Sequence, residues 1–212
     1  AAIRVVQLFP KTTPVANQPR IGLAGEENTR AILGTVPVES DGSARFRLPA
    51  GKKVFFQALD RQGFVRRTMR SSTYVQPGEV TSCVGCHNYS AALSEGSGNN
   101  PLATKRPPSE IDPGQGGGRP FSFVGVVQPI LDRHCVGCPT PDRPDGAVDL
   151  CGDRTPLYSQ SYWTIVKRRL ISDARNGSGN RPPRSIGSSA SRLLDYIDGS
   201  HYDAKLSDGE RM

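Results

Sequence analysis

The chain has 212 residues, a formal net charge of +7, 35% hydrophobic residues, 23 glycines and 18 prolines. That length suits one large domain or two small ones, and the glycine and proline content points to compact domains joined by long loops. No run of about eighteen apolar residues exists, which excludes a membrane-spanning helix. The basic residues are scattered, with short clusters at Arg66-Arg67 and Lys167-Arg168-Arg169, and lack the aromatic interleaving of a nucleic-acid surface. They read as a solvated basic face, with a docking face for an acidic redox partner as the alternative.

In chain order, the first ninety or so residues predict β structure. Ile3-Arg4-Val5-Val6-Gln7-Leu8 is strand-like, and residues 10–25 are turn-rich, with Pro14, Pro19 and Gly22. Residues 31–38 are apolar and β-branched, and Asp41-Gly42 is a hairpin-turn signal. Phe46 and Leu48 alternate with Arg45 and Arg47, as a half-buried strand requires. Residues 53–59 and 64–73 supply two more strand candidates, separated by the turn Arg61-Gln62-Gly63. Strands at this spacing predict a small antiparallel β-sandwich-like domain over residues 1–93.

That domain ends in Cys83-Val84-Gly85-Cys86-His87, the C-x-x-C-H pattern of c-type haem attachment. Two thiols three positions apart can each form a thioether to a vinyl group of one porphyrin. A histidine directly after the second cysteine is then held beneath the iron as an axial ligand. A redox disulfide or half of a zinc site are the alternatives; the first expects a nearby β-α-β pattern and the second a closely spaced partner pair. Met69, with its thioether sulfur, is a candidate sixth ligand or a packing residue.

Residues 94–120 read as a linker, rich in Gly96, Gly98, Pro101, Pro107, Pro108, Pro113 and Gly116-Gly117-Gly118. Residues 121–212 predict a mainly helical, loop-rich domain, which makes the fold class α+β. Phe121, Phe123, Val126, Val127, Ile130 and Leu131 recur at helical intervals, with Pro129 marking a start or kink. Residues 162–171 and 191–197 are further helix candidates, and Ser207-Asp208-Gly209-Glu210 has capping-box spacing.

The same domain holds His134-Cys135-Val136-Gly137-Cys138-Pro139, a near copy of the first motif in which proline replaces the proximal histidine. Thioether attachment needs only Cys135 and Cys138, so a second haem remains chemically open. The other reading is a zinc site of Cys135, Cys138, Cys151 and a histidine, with Cys151 otherwise a small core residue. His134 reads as a packing or surface residue. No signal peptide and no initiator methionine are present, so a mature product or an excised fragment is expected, and the closing capping box points to a chain that continues. Covalent haem attachment outside the bacterial cytoplasm implies a periplasmic or exported origin.

Several segments resemble one family. Gly34-Thr35-Val36-Pro37-Val38, Asp41-Gly42-Ser43-Ala44, Leu48-Pro49-Ala50-Gly51, Phe56-Gln57-Ala58-Leu59-Asp60 and Met69-Arg70-Ser71, leading to Cys83-Val84-Gly85-Cys86-His87, look like the middle region of the hydrazine synthase alpha subunit family of planctomycete bacteria. Residues 127–135 and His201-Tyr202-Asp203-Ala204-Lys205-Leu206-Ser207 look like that family's haem-bearing C-terminal domain. The resemblance implies a c-type cytochrome that binds haem c at Cys83, Cys86 and His87. It implies a second haem at Cys135 and Cys138 with His201 as its distal ligand. Electron transfer with redox partner proteins is implied more strongly than hydrazine chemistry, as is membership of a longer chain or multi-subunit complex. In hydrazine synthase itself a tyrosine one turn after the first motif binds iron and the motif histidine binds zinc. Ala91 stands at that position here and Tyr89 is out of step, so ordinary His87 ligation is the expectation. A haem-containing part of a redox enzyme and a structural metal-binding module are the other function classes.

Overall fold

The computed structural model describes residues 1–15, 18, 21–22, 28–83, 100–114, 117–137, 148–172, 181–199, 201–202 and 204–211. They form two compact units, one of Ala1–Ile21 with Gly25–Pro120, the other carrying Phe121–Met212.

The first unit is built on a four-stranded antiparallel sheet of β1 (Ala2–Leu8), β2 (Arg30–Pro37), β3 (Val54–Leu59) and β4 (Val65–Thr68), in the order β2-β1-β3-β4. The interior strand β1 carries Val5 and Val6, and its neighbours carry Val36, Val54 and Leu59, all buried. Branched side chains fit the pleat and lose little rotamer freedom there, and a fully buried valine contributes about 1.5–3 kcal/mol. The register of β1 against β2 shifts between Val5 and Val6, where Val5 faces Gly34 and Val6 faces Ile32. That irregularity lets Gly34 adopt a φ of 144°.

The expected sandwich is, among the described residues, a single sheet. The strand expected around Phe46 is the reason for the difference. Asp41-Gly42 does turn the chain: Gly42 has a φ of 83°, and the Asp41 carboxylate accepts from the Ser43 N–H at 3.0 Å and from its hydroxyl at 2.6 Å. The backbone beyond it pairs with Ser109 rather than with β2. The Ser109 N–H donates to the Arg45 carbonyl and the Arg47 N–H to the Ser109 carbonyl, each at 2.9 Å. Phe46 packs edge-on against Phe56, with ring centroids 5.6 Å apart.

Residues 100–120, from the stretch rich in proline and glycine, lie on this unit wherever they are described. Ala103 is 1% exposed. Its N–H donates to the Ser43 hydroxyl at 3.0 Å, and the Leu102 N–H donates to Asp41 at 2.8 Å. Arg106 meets Glu39 and donates to the Ser109 hydroxyl at 2.7 Å. Thr35 and Asp112 exchange backbone hydrogen bonds of 2.8 and 2.9 Å, and the Gly118 N–H reaches the Ile32 carbonyl at 2.7 Å. Prolines remove backbone donors, but the segment needs only a few donors to pair along one edge strand, and composition alone does not report that partner.

The second unit is loop-rich, with short helices where a mainly helical domain was expected. A π-helical turn at Phe123–Val127 leads into α1 (Gln128–His134); α2 (Gln160–Lys167) and α3 (Asp208–Arg211) follow. Pro129 falls in the first turn of α1, where its missing N–H costs nothing. Ser159 caps α2 by accepting from the Tyr162 N–H. Leu131, Leu150, Ile165 and Leu170 form the core, with Phe123, Val127, Cys135, Val148, Leu193 and Tyr196 packed against it. A buried polar network crosses that core. The Gln128 amide donates to Asp132 at 2.7 Å and to the Leu150 carbonyl at 3.0 Å, and its oxygen accepts from the fully buried Ser161 hydroxyl. Every arm of Gln128 is satisfied, so the network fixes α1 against α2 instead of weakening the core.

Gly34→Ala should strain the first unit. A Cβ there would lie 2.0 Å from the Asp112 carbonyl oxygen, and the left-handed φ adds its own cost. The expected loss is about 2–4 kcal/mol of stability in denaturant unfolding, with faster proteolysis across residues 100–114. An unchanged midpoint would refute the close approach.

Candidate functional site

The sequence-predicted ligands divide between the two units. In the first, Cys83 is exposed and unbridged at the end of the described run; Cys86 and His87 lie outside the described residues. Met69, just beyond β4, is half-buried, and its N–H donates to the Phe56 carbonyl at 2.9 Å. A shallow cavity of about 400 Å³ in the same unit is lined by Gly51, Lys53, Ser72, Thr73 and Tyr74 and includes none of these candidates.

In the second unit, Cys135 follows α1 and is half-buried against the Leu131 cluster. Cys138 and Pro139 lie outside the described residues. His201 is exposed, and its ring lies edge-on between Tyr196 and Tyr202, with centroids 4.8 and 4.6 Å away. Tyr202 holds a φ of 46°, which turns the chain sharply at this point. Because Tyr196 also packs on the Leu131 cluster, Cys135 and His201 share one supporting core.

Cys151 occupies a different setting. Its N–H donates to Asp149 at 2.9 Å, and its thiol lies 3.6 Å from an Asp153 carboxylate oxygen. Burial, followed by the influence of Asp149, pushes the thiol up to about 11. It is therefore protonated at neutral pH and a poor nucleophile. Among the described residues no three His, Cys, Asp or Glu side chains gather as a metal-binding group.

The sequence reading missed the function of His134 and Glu210. Glu210 accepts from the Ser207 N–H at 2.9 Å and from its hydroxyl at 2.7 Å, completing one half of the capping box. Its other oxygen lies 2.5 Å from Arg133 Nη1 and 3.1 Å from His134 Nε2. The last turn is thus clasped to the end of α1, one residue before Cys135. Capping-box spacing exposed the Ser207–Glu210 half, but nothing in the sequence marks a partner at 76 residues' separation. The Ser207 hydroxyl and N–H, with His134 adding to them, hold the Glu210 carboxyl down at about 2.

That depressed value lies below the ordinary 4.5, so the clasp contributes fully above about pH 4.5 and is lost as the pH falls through about 2. The Ser207 backbone amide resonance should titrate near pH 2, and the transition should vanish in Glu210→Gln. A midpoint near 4.5 would mean that the clasp is absent in solution.

Residues 3–88 match the family described as "Hydrazine synthase alpha subunit middle domain". Among solved structures, Kuenenia stuttgartiensis hydrazine synthase shares the fold, with a TM-score of 0.67 and 19% identity over 97% of this chain. The chain spans 34% of the length of that structure's chain. A comparison with curated proteins gave no match. Residues 3–88 are thus similar to the hydrazine synthase alpha subunit middle domain, and the chain shares its fold with part of the Kuenenia hydrazine synthase chain.

Proposed function

We infer that this chain is a haem c-bearing, electron-transferring part of a redox enzyme related to the hydrazine synthase alpha subunit. One observation carries the reading: the family match runs to residue 88 and so takes in the whole motif from Cys83 to His87. The donor chemistry fits the group. Cys83 is exposed and in no disulfide, so its sulfur is accessible for thioether formation, and a neutral imidazole at His87 suits iron. In this reading Cys83 and Cys86 tether the porphyrin and His87 is the axial ligand. When bound, haem c supplies a one-electron carrier whose potential is set by its axial ligands and surroundings. The origin is periplasmic or exported, where thioether attachment takes place. A separate electron carrier is the second reading. The family relation favours a part of an enzyme, and the surrounding subunits and substrate belong to the longer protein.

At the second motif, Cys135 supports attachment, since it is partly exposed beside the clasp of His134 and Glu210. Pro139 brings no donor to the iron. His201 is the axial candidate, because its ring is accessible and braced by two tyrosines.

After expression with haem maturation in a periplasm, the intact mass should exceed that of the bare polypeptide by at least one haem. The Cys83→Ala, Cys86→Ala variant should lose the haem of the first site. His87→Ala should alter the ferric spectrum, and an unchanged spectrum would remove His87 from the iron.

The haem-to-protein ratio, measured with metal analysis on the same sample, should be two. One haem with one zinc would support a Cys135, Cys138 and Cys151 site instead, and one haem alone would leave the second motif without a cofactor. With two haems, Pro139→His should convert the second to low spin. A second haem that stays high-spin would exclude His201 as its ligand.

A further inference from the structure

The short helix α3 reaches back in two directions. Its Glu210 carboxylate accepts from Arg133 and His134, the two residues before Cys135. The next residue, Arg211, donates through Nη2 to the Ile197 carbonyl at 3.1 Å and through Nε to the Leu206 carbonyl at 3.2 Å. Ile197 stands at the root of the loop that carries His201. Asp198 and Lys205 bridge the base of that loop, and the Ala204 N–H donates to the His201 carbonyl at 2.9 Å. Two adjacent side chains thus grip the approach to the second cysteine motif and the foot of the His201 loop.

A helix of four residues has no stability of its own, so α3 is ordered by the contacts it makes. Leu206, just before it, is buried, and the second Glu210 oxygen is held by the Ser207 N–H and hydroxyl. The Glu210 and His134 side chains are 17% and 21% exposed, so this pair is screened less than a surface pair. At the receiving end, the Cys135 and Val136 N–H groups both reach the Leu131 carbonyl, at 2.8 and 3.0 Å. Tyr196 supplies a second link between the Leu131 cluster and His201, but through packing alone. Packing sets how near two groups lie, whereas the hydrogen bonds from α3 are directional and set their orientation. Because Glu210 and Arg211 share one turn, loss of either grip loosens the other.

We propose that α3 is the positioning element of the second cysteine motif: Glu210 holds the segment that carries Cys135, Arg211 holds the loop that carries His201, and the two respond as one body. Neither side chain touches the reacting atoms; each acts through the residue it holds. The chemical use of this strap rests on the haem reading of the second motif given above, where it would preset the angle at which His201 meets a group tethered at Cys135. The coupling itself does not rest on haem. It is also reciprocal, since a disturbance at either end must reach the other by the same amount of free energy.

The test compares the full chain with Glu210→Ala, Arg211→Met and Arg211→Lys by amide hydrogen exchange, without haem. Glu210→Ala should speed exchange at Ala204, which Glu210 does not touch, and Arg211→Met should speed it at Cys135 and Val136, each at least ~3-fold. The Leu193 amide, bonded to the Leu170 carbonyl, serves as the reference and should not change. Arg211→Lys keeps a donor for Ile197 and should restore most of the protection. The proposal is overturned if each variant disturbs only its own end, or if the Leu193 amide speeds up equally, which would mean general loosening. On the chain matured with haem, the ferric spectrum of a second haem should shift with Arg211→Met and return with Arg211→Lys. A second haem whose spectrum ignores both variants overturns the positioning of His201. A chain that takes up one haem overturns the haem reading of this motif, and the exchange comparison then decides the strap by itself.

Discussion

The first unit depends on the approach of Gly34 to the backbone of Asp112. A side chain at position 34 would occupy the space of the Asp112 carbonyl, and the φ of 144° there is open only to glycine at low cost. With that space clear, Thr35 and Asp112 complete each other's backbone hydrogen bonds, and Gly118 and Pro120 pair with Ile32 and Ala31 of β2. The residues before Ser109 deliver Ala103 to the core and Arg106 to Glu39. The four-stranded sheet thus has its β2 edge paired by a later stretch of the same chain.

In the second unit the comparable constraint is polar. Gln128 lies in the first turn of α1 and binds Asp132, Leu150 and Ser161 at once, which leaves no buried arm unmet. Because α1 ends at His134 and Cys135 follows, this network also sets where the second cysteine motif begins. The Glu210 clasp holds the far end of the same helix. The short helices could not hold these positions through intrinsic helicity, since isolated helices of seven or eight residues are unstable in water. Tertiary contacts carry them.

These two arrangements bear on chemistry in different ways. Cys83 is exposed, whereas Cys151 is held protonated beside two aspartates and is chemically quiet. His201 is accessible between two tyrosine rings, while His134, nearer in sequence to Cys135, is occupied by Glu210. Two histidines that look alike in the sequence are therefore separated by their partners.

The sequence by itself determined the strands β1, β2 and β3, because alternating and branched apolar residues suit only a pleated, half-buried surface. It determined the placement of Pro129 at a helix start, the turn at Asp41-Gly42, and the spacing of both cysteine motifs, since each is set by bonds or torsions within a few residues. The tertiary structure alone decided that Phe46 meets residue 109 instead of completing a second sheet, that Asp112 and Gly118 pair with β2, and that Glu210 reaches back to His134. Each of those contacts joins residues more than sixty positions apart, and its energy comes from a backbone group or a carboxylate finding one partner in space. Local composition carries no trace of such a partner, so the pairings become visible only once the chain has closed on itself.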